Sequence, residues 1–183
     1  MAETLFRERG IAKSSIADIA QALHMSPANI FKHFQSKATL VDAICDRHIT
    51  RMIGRFKTLD RPAPAPERLA TVVCNLMEAH LEDIRKNPFF LEIIVLMSET
   101  DLPSGRHYKE LIDALFCDLV RQGVEDGVYY CADYQTTGRH VAAAFLSVLH
   151  PVFLAGEDEA ELQDRCAGLV KLVNAALQNP LAK

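Results

Sequence analysis

The sequence predicts an all-α fold, and three observations carry that prediction. Apolar residues recur at three- and four-residue steps through most of the 183 residues, the spacing that lines one face of a helix. Sustained alternation and hairpin turn dipeptides are missing, so no strand is expected. Proline, glycine and acidic clusters fall between the periodic segments, where helices stop and restart.

Taken in chain order, "AETLFRERG" reads as the end of an apolar-faced helix (Ala2, Leu5, Phe6) closed by Gly10. Ser15 with Asp18 three residues on is a capping-box arrangement, opening a helix whose inward face is Ile16, Ile19, Ala20 and Leu23. "LHMS" is the turn. Ser26 as N-cap and Pro27 as first helical residue open a third helix through about Phe34, with Ile30 and Phe34 inward against Ile16 and Leu23. Ser36 caps a long helix in which Val41, Ile44, Cys45, His48, Ile49, Met52, Ile53 and Phe56 share a face. It ends at "LDRPAPAPE", because Pro62, Pro64 and Pro66 lack amide donors and disfavour helix in the residues before them.

Five further helices are expected: about Glu67–Lys86, Pro88–Glu99, Gly105–Gln122, Tyr134–Leu154 and Glu159–Leu177. Pro151 should kink or shorten the fourth of these.

Composition narrows the class. Hydrophobic residues at 49% and charged residues at 24% describe a globular protein with material for a core. Nothing approaches the roughly 18 unbroken apolar residues of a membrane span, and "MAETLFRERG" lacks an apolar signal region. A cytoplasmic protein with no membrane partner is expected. The cysteines, at 45, 74, 117, 131 and 166, are odd in number and lack CxxC spacing, which argues against a disulfide framework or zinc site. They read as small buried hydrophobes, with redox sensing by one of them the less expected alternative. Charge is uneven. Residues 1–57 carry nine Lys and Arg against five Asp and Glu, whereas the remainder carries eleven against nineteen. A basic head on an acidic body is the balance of a nucleic-acid-binding module joined to a regulatory domain.

Two short helices joined by a tight turn form a helix-turn-helix, whose second helix enters the major groove by its N-terminal half. Ser26 and Asn29 can hydrogen-bond there, small Ala28 permits close approach, and Lys32 and His33 project from the next turn. Lys37 opens the long helix, where its ammonium is placed for a phosphate. The stretch "LFRERG" followed by "SSIADIAQALHMSPANIFKHFQSKATL" resembles the DNA-binding domain of the tetracycline-repressor (TetR) family of transcriptional regulators. Ser-x-x-Asp-Ile-Ala, Ser-Pro before the third helix, the aromatic-x-His-Phe end and Ser-Lys at the next start align together.

The resemblance implies a head (residues 1–44) with three helices, a long fourth helix, and a helical body (residues 45–183) for effector binding and dimerisation. It implies that Ser15, Ser26, Ala28, Asn29, Lys32 and His33 face bases or phosphates of an operator in double-stranded DNA, with Phe31 and Lys37 against the backbone. Position 31 is usually Tyr in this family, so Phe31 lacks a phosphate-binding hydroxyl. The family's first helix also begins earlier, and this chain starts in its second half.

In the body, Met52, Phe56, Met77, His80, Phe90, Ile93, Met97, His107, Tyr108 and Phe116 read by themselves as helix-bundle core, and the resemblance implies instead that they line an effector cavity. An apolar cavity with few polar anchors suits a small hydrophobic or aromatic effector. The last two helices carry more apolar surface than one bundle needs, which calls for another partner or, as the alternative, a two-layer monomeric core. The resemblance implies a homodimer through Val141, Phe145, Val148, Val152, Leu162, Cys166, Leu169 and Val173. Enzyme signatures such as GxSxG, GxGxxG, a Walker loop or HExxH are missing. His80 between Glu78 and Glu82 does not make a metal pair, since residues two apart on a helix point to different faces. No catalytic residue, metal or cofactor is expected. A ligand-responsive repressor is the leading expectation, and a helical protein-interaction module that has lost DNA binding the alternative.

Overall fold

The computed structural model describes residues 1–54, 63–87 and 89–180, the side chain of Ser98 excepted. Among the described residues all regular structure is helical. The helices are α1 (Ala2–Arg9), α2 (Ile16–Ala22), α3 (Pro27–Phe31), α4 (Lys37–Gly54), α5 (Ala65–Lys86), α6 (Phe90–Glu99), α7 (Pro103–Glu125), α8 (Tyr134–Ala144), α9 (Leu146–Leu149), α10 (Pro151–Leu154) and α11 (Glu159–Leu177). Phe56, Pro62 and Pro88 lie outside the described residues.

Two expectations change. The third helix ends at Phe31, not Phe34, with Lys32 as its C-cap. The segment expected as one helix from Tyr134 to Leu154 is three pieces. Pro151 removes an amide and holds His150 in an extended conformation (φ −80°, ψ 125°), and the imidazole Nδ1 of His150 then accepts the Val152 N–H at 3.3 Å to restart the helix. Burial lowers the His150 pKa from 6.5, keeping the ring in the neutral form this bond needs.

The chain divides into two compact units, Met1–Arg51 with Glu82–Tyr108, and Met52–Leu81 with Lys109–Lys183. In the first, long-range polar bridges join residues 1–51 to residues 82–108. Glu92 accepts the Ile11 and Ala12 amides at 3.1 and 2.7 Å. Asp42 accepts the Ser104 amide at 2.9 Å, His48 Nε2 meets Asp83 at 2.8 Å, and His107 Nδ1 meets Asp46 at 2.5 Å. Leu5, Phe6, Ile19, Ala20, Ile30, Leu40 and Val41 are buried within this unit.

The second unit is centred on fully buried side chains, among them Leu69, Val73, Leu76, Phe116, Phe145 and Leu162. Phe116 stacks on Phe145 with centroids 5.8 Å apart, and full burial of such a ring is worth about 2–3 kcal/mol. A Cβ on Gly138 would fall 2.4 Å from the Cys117 Cα, so α8 meets α7 at backbone distance. One polar chain links three segments: the Tyr129 hydroxyl donates to Asn174 Oδ1 at 2.6 Å, and Asn174 Nδ2 donates to the Pro66 carbonyl at 3.3 Å.

Candidate nucleic-acid interface

Local sequence builds the head as expected at α2. The Ser15 hydroxyl accepts the Asp18 amide at 3.1 Å while Asp18 accepts the Ser15 amide at 2.8 Å, a reciprocal cap. Hydrogen bonds from the Ser15 hydroxyl and then its amide hold the Asp18 carboxyl below its ordinary pKa. The chain turns through His24 at φ 54°, a left-handed conformation uncommon outside glycine and asparagine. Ser26 then accepts the Asn29 amide at 3.3 Å and Pro27 occupies the first helical position.

This cap orients α3. Ile30 is buried, whereas Ser26, Ala28, Phe31, Lys32 and His33 are exposed and Asn29 is half-buried. Phe31 is 49% exposed, more than a core aromatic would be. Leu23 departs from the expected inner face: at 40% exposure it lies at the end of α2, where the turn carries it out of the core that Ile19 and Ala20 fill. Ser15 spends its hydroxyl on Asp18, donating at 2.6 Å.

Lys37 also departs. Its ammonium, expected at a phosphate, donates to the Ile11 carbonyl at 2.8 Å and is half-buried. The peptide joining Ile11 to Ala12 therefore has a cation at its oxygen and the Glu92 carboxylate at its N–H, both favourable to its dipole. Gly10, at φ 80°, permits this approach: a Cβ there would lie 2.9 Å from Glu92 Oε2 and from a Phe89 ring carbon. Glu92 was not among the residues expected from sequence. Its signal was present, as a lone carboxylate in the apolar run "FFLEIIVLM".

The expected cavity residues divide between the units. In the second, Met52, Met77, His80 and Phe116 are buried, and Phe116 is a core residue of its own unit through its stack on Phe145. In the first, Phe90, Ile93, Met97, His107 and Tyr108 are half-buried, and His107 is already engaged by Asp46. A surface cavity of about 460 Å³ lies elsewhere, lined by Glu110, Asp113, Cys117, Arg121, Tyr134 and Arg139 among others, and by none of the expected residues. His80 is buried with Glu78 and Glu82 exposed, and Glu82 is paired with Lys86.

The expected dimer positions lie deeper than the sequence suggested. Val141, Phe145, Val148, Leu162, Cys166 and Val173 are buried within their own unit, and Leu169 is half-buried. The break at His150–Pro151 explains part of this, since α10 no longer continues the face of α8. Of the eight, Val152 remains exposed, beside Leu146, Phe153 and Leu172 at 48%, 50% and 67%. Among the described residues no helix is long and apolar enough to cross a membrane.

A capped helix-turn-helix followed by a helical body defines the class, and comparison with known proteins narrows it. The profile of bacterial regulatory proteins of the tetR family matches residues 1–44, and that of the tetracyclin repressor-like C-terminal domain matches residues 65–170. The chain belongs to the TetR family of bacterial transcriptional regulators. It is 24% identical over 192 residues to the HTH-type regulator YerO of Bacillus subtilis, covering 97% of this chain and 64% of that protein. It is 21% identical over 136 residues to the repressor KstR2 of Mycolicibacterium smegmatis, covering 70% of this chain and 64% of that protein. The chain thus spans just under two thirds of the length of these relatives. The structure of Thermus thermophilus FadR, a TetR-family repressor in complex with lauroyl-CoA, superposes with a TM-score of 0.67 at 22% identity, covering 93% of this chain and 89% of that one. A regulator from Cytophaga hutchinsonii superposes at 0.68 with 14% identity, covering 97% and 95%. These likenesses show the shared fold.

Proposed function

We propose that this chain is a repressor that binds a palindromic operator as a homodimer and is released by a small hydrophobic effector. The observation that carries the reading is α3. Its cap fixes a short helix just after a tight turn, with Ala28, Phe31, Lys32 and His33 exposed on one side of buried Ile30. Small, aromatic and basic side chains exposed along such a helix and the turn after it suit contact with base edges and phosphates. Half-buried Asn29 completes that surface, and Ser15, Ser26 and Lys37 also make hydrogen bonds within the head.

The proposed homodimer rests on the exposed apolar residues Leu146, Val152, Phe153 and Leu172, which a two-fold partner would cover. The proposed effector is long-chain and apolar, in keeping with the lauroyl-CoA bound by the Thermus FadR and with half-buried Phe90, Ile93 and Met97. Effector binding would act by population shift, changing the separation of two heads that must sit about 34–36 Å apart, one DNA turn, to bind tightly. Selection of bound genomic fragments tests this, with lauroyl-CoA added to one arm. Enrichment of a palindrome that acyl-CoA weakens supports the reading, and uniform fragment recovery overturns it. Sedimentation at micromolar concentration tests the dimer, which a monomer would refute.

A further inference from the structure

We propose that Cys74 and Cys166 are an oxidisable dithiol, a disulfide-forming modification site that takes a peroxide as oxidant and staples α5 to α11. Their sulfurs are 3.7 Å apart although 92 residues separate them in sequence. A disulfide needs about 2.05 Å, so the sulfurs must close by roughly 1.7 Å, a distance within the reach of side-chain rotation.

The two thiols differ in access, and that difference orders the chemistry. Cys166 is 1% exposed, whereas Cys74 is half-buried. Peroxide therefore meets Cys74 first. The Cys74 thiolate attacks one peroxide oxygen, the O–O bond breaks, and hydroxide leaves to take up the proton that Cys74 lost. The product is Cys74 sulfenic acid. The Cys166 sulfur then attacks the Cys74 sulfur, the S–S bond forms as the S–O bond breaks, and water departs with the Cys166 proton. Two thiols and one peroxide yield one disulfide and two waters, and an external dithiol reverses the change.

Burial and the neighbouring Cys74 push the Cys166 thiol up to about 12, so it does not initiate; its place 3.7 Å from the Cys74 sulfur is what makes it the resolving partner. The remaining thiols are placed differently. Cys45 is buried and pushed up to about 12 by burial and then by Asp42 and Asp46. Cys117 donates its thiol to the Gln135 carbonyl at 3.2 Å.

The test uses the full chain exposed to stoichiometric hydrogen peroxide, followed by thiol counting and mapping of the unreduced digest. The expected result is loss of two of the five thiols into a single cross-link between the Cys74 and Cys166 peptides, restored by dithiothreitol. The melting temperature should rise by roughly 5–15 °C, because a long loop is closed in the unfolded chain. In Cys166→Ser a dimedone adduct should accumulate at Cys74, and in Cys74→Ser the cross-link should vanish with Cys166 unmodified. Five intact thiols, sulfinic acid at Cys74 without a cross-link, or a cross-link to another cysteine would overturn the proposal. The wild-type map decides even where a serine variant misfolds. No readout depends on DNA or effector, so failure here and failure of the proposed repressor function are separate results.

Discussion

Glu92→Ala removes the acceptor for two backbone amides at once, and its cost can be worked out from the contacts. A hydrogen bond to a charged group contributes about 1.5–3 kcal/mol net. The bond to the Ile11 amide is part-buried, so losing it strands a donor and costs close to that full amount. The bond to Ala12 is shorter, at 2.7 Å, but exposed, and water can replace most of it. The sum is about 2–4 kcal/mol, or a fall in melting temperature of roughly 5–15 °C for a chain of this size. Lys37 would also lose the opposing charge across the Ile11–Ala12 peptide. Urea unfolding measures the loss, and hydrogen exchange at Ile11 and Ala12 shows where it occurs. Glu92→Gln, which keeps one acceptor oxygen, should fall between. A loss below about 0.5 kcal/mol with protection unchanged at both amides would refute the clamp.

Other expectations follow from single contacts. Gly138→Ala should cost about 2–3 kcal/mol in urea unfolding, since its Cβ meets the Cys117 backbone, which cannot swing aside as a side chain would. His150 contributes a pH dependence: burial lowers its folded pKa below the ordinary 6.5. The unfolded chain thus takes up the proton first as pH falls. Stability from this group is complete above about 6.5 and is lost as pH drops from there through the folded pKa. Melting temperature between pH 8 and 5 should decline less in His150→Asn, which keeps a capping oxygen, than in the wild type. In the proposed DNA complex, Lys32→Ala should reduce the log–log salt slope by about 0.9, one phosphate's worth. Phe31→Tyr should tighten binding by restoring a phosphate donor, and titrations at several salt concentrations check both.

Helix type and most boundaries were legible because they depend on local chemistry. The Ser15–Asp18 box, the Ser26–Pro27 start and the Asp158 side chain at the opening of α11 act within three residues of sequence. Pro151 announced a break, though not that His150 would supply the new cap. What sequence could not give were pairings across long separations. Ile11 and Glu92 lie 81 residues apart and Asp46 and His107 lie 61 apart. Periodicity identifies an apolar face but not what covers it: Phe145 and Leu162, expected at a dimer surface, are already fully buried in the single chain. Lys37 shows the same limit for charge: its position on a helix pointed to a phosphate, but not to the neutral Ile11 carbonyl to which its ammonium donates within the head.

The brevity of α3 has an informational consequence. Five residues at about 1.5 Å each make some 7.5 Å of helix, or about two base-pair steps at 3.4 Å. So short a reader spells only a few letters, too few to single out one address among the millions of sites in a genome. In the proposed repressor, pairing two chains squares the selectivity of each reader. The exposed apolar residues that such pairing would cover, Leu172 among them, would then supply vocabulary as well as grip, and a variant that stays monomeric would lose its sense of address before it lost its attraction to DNA.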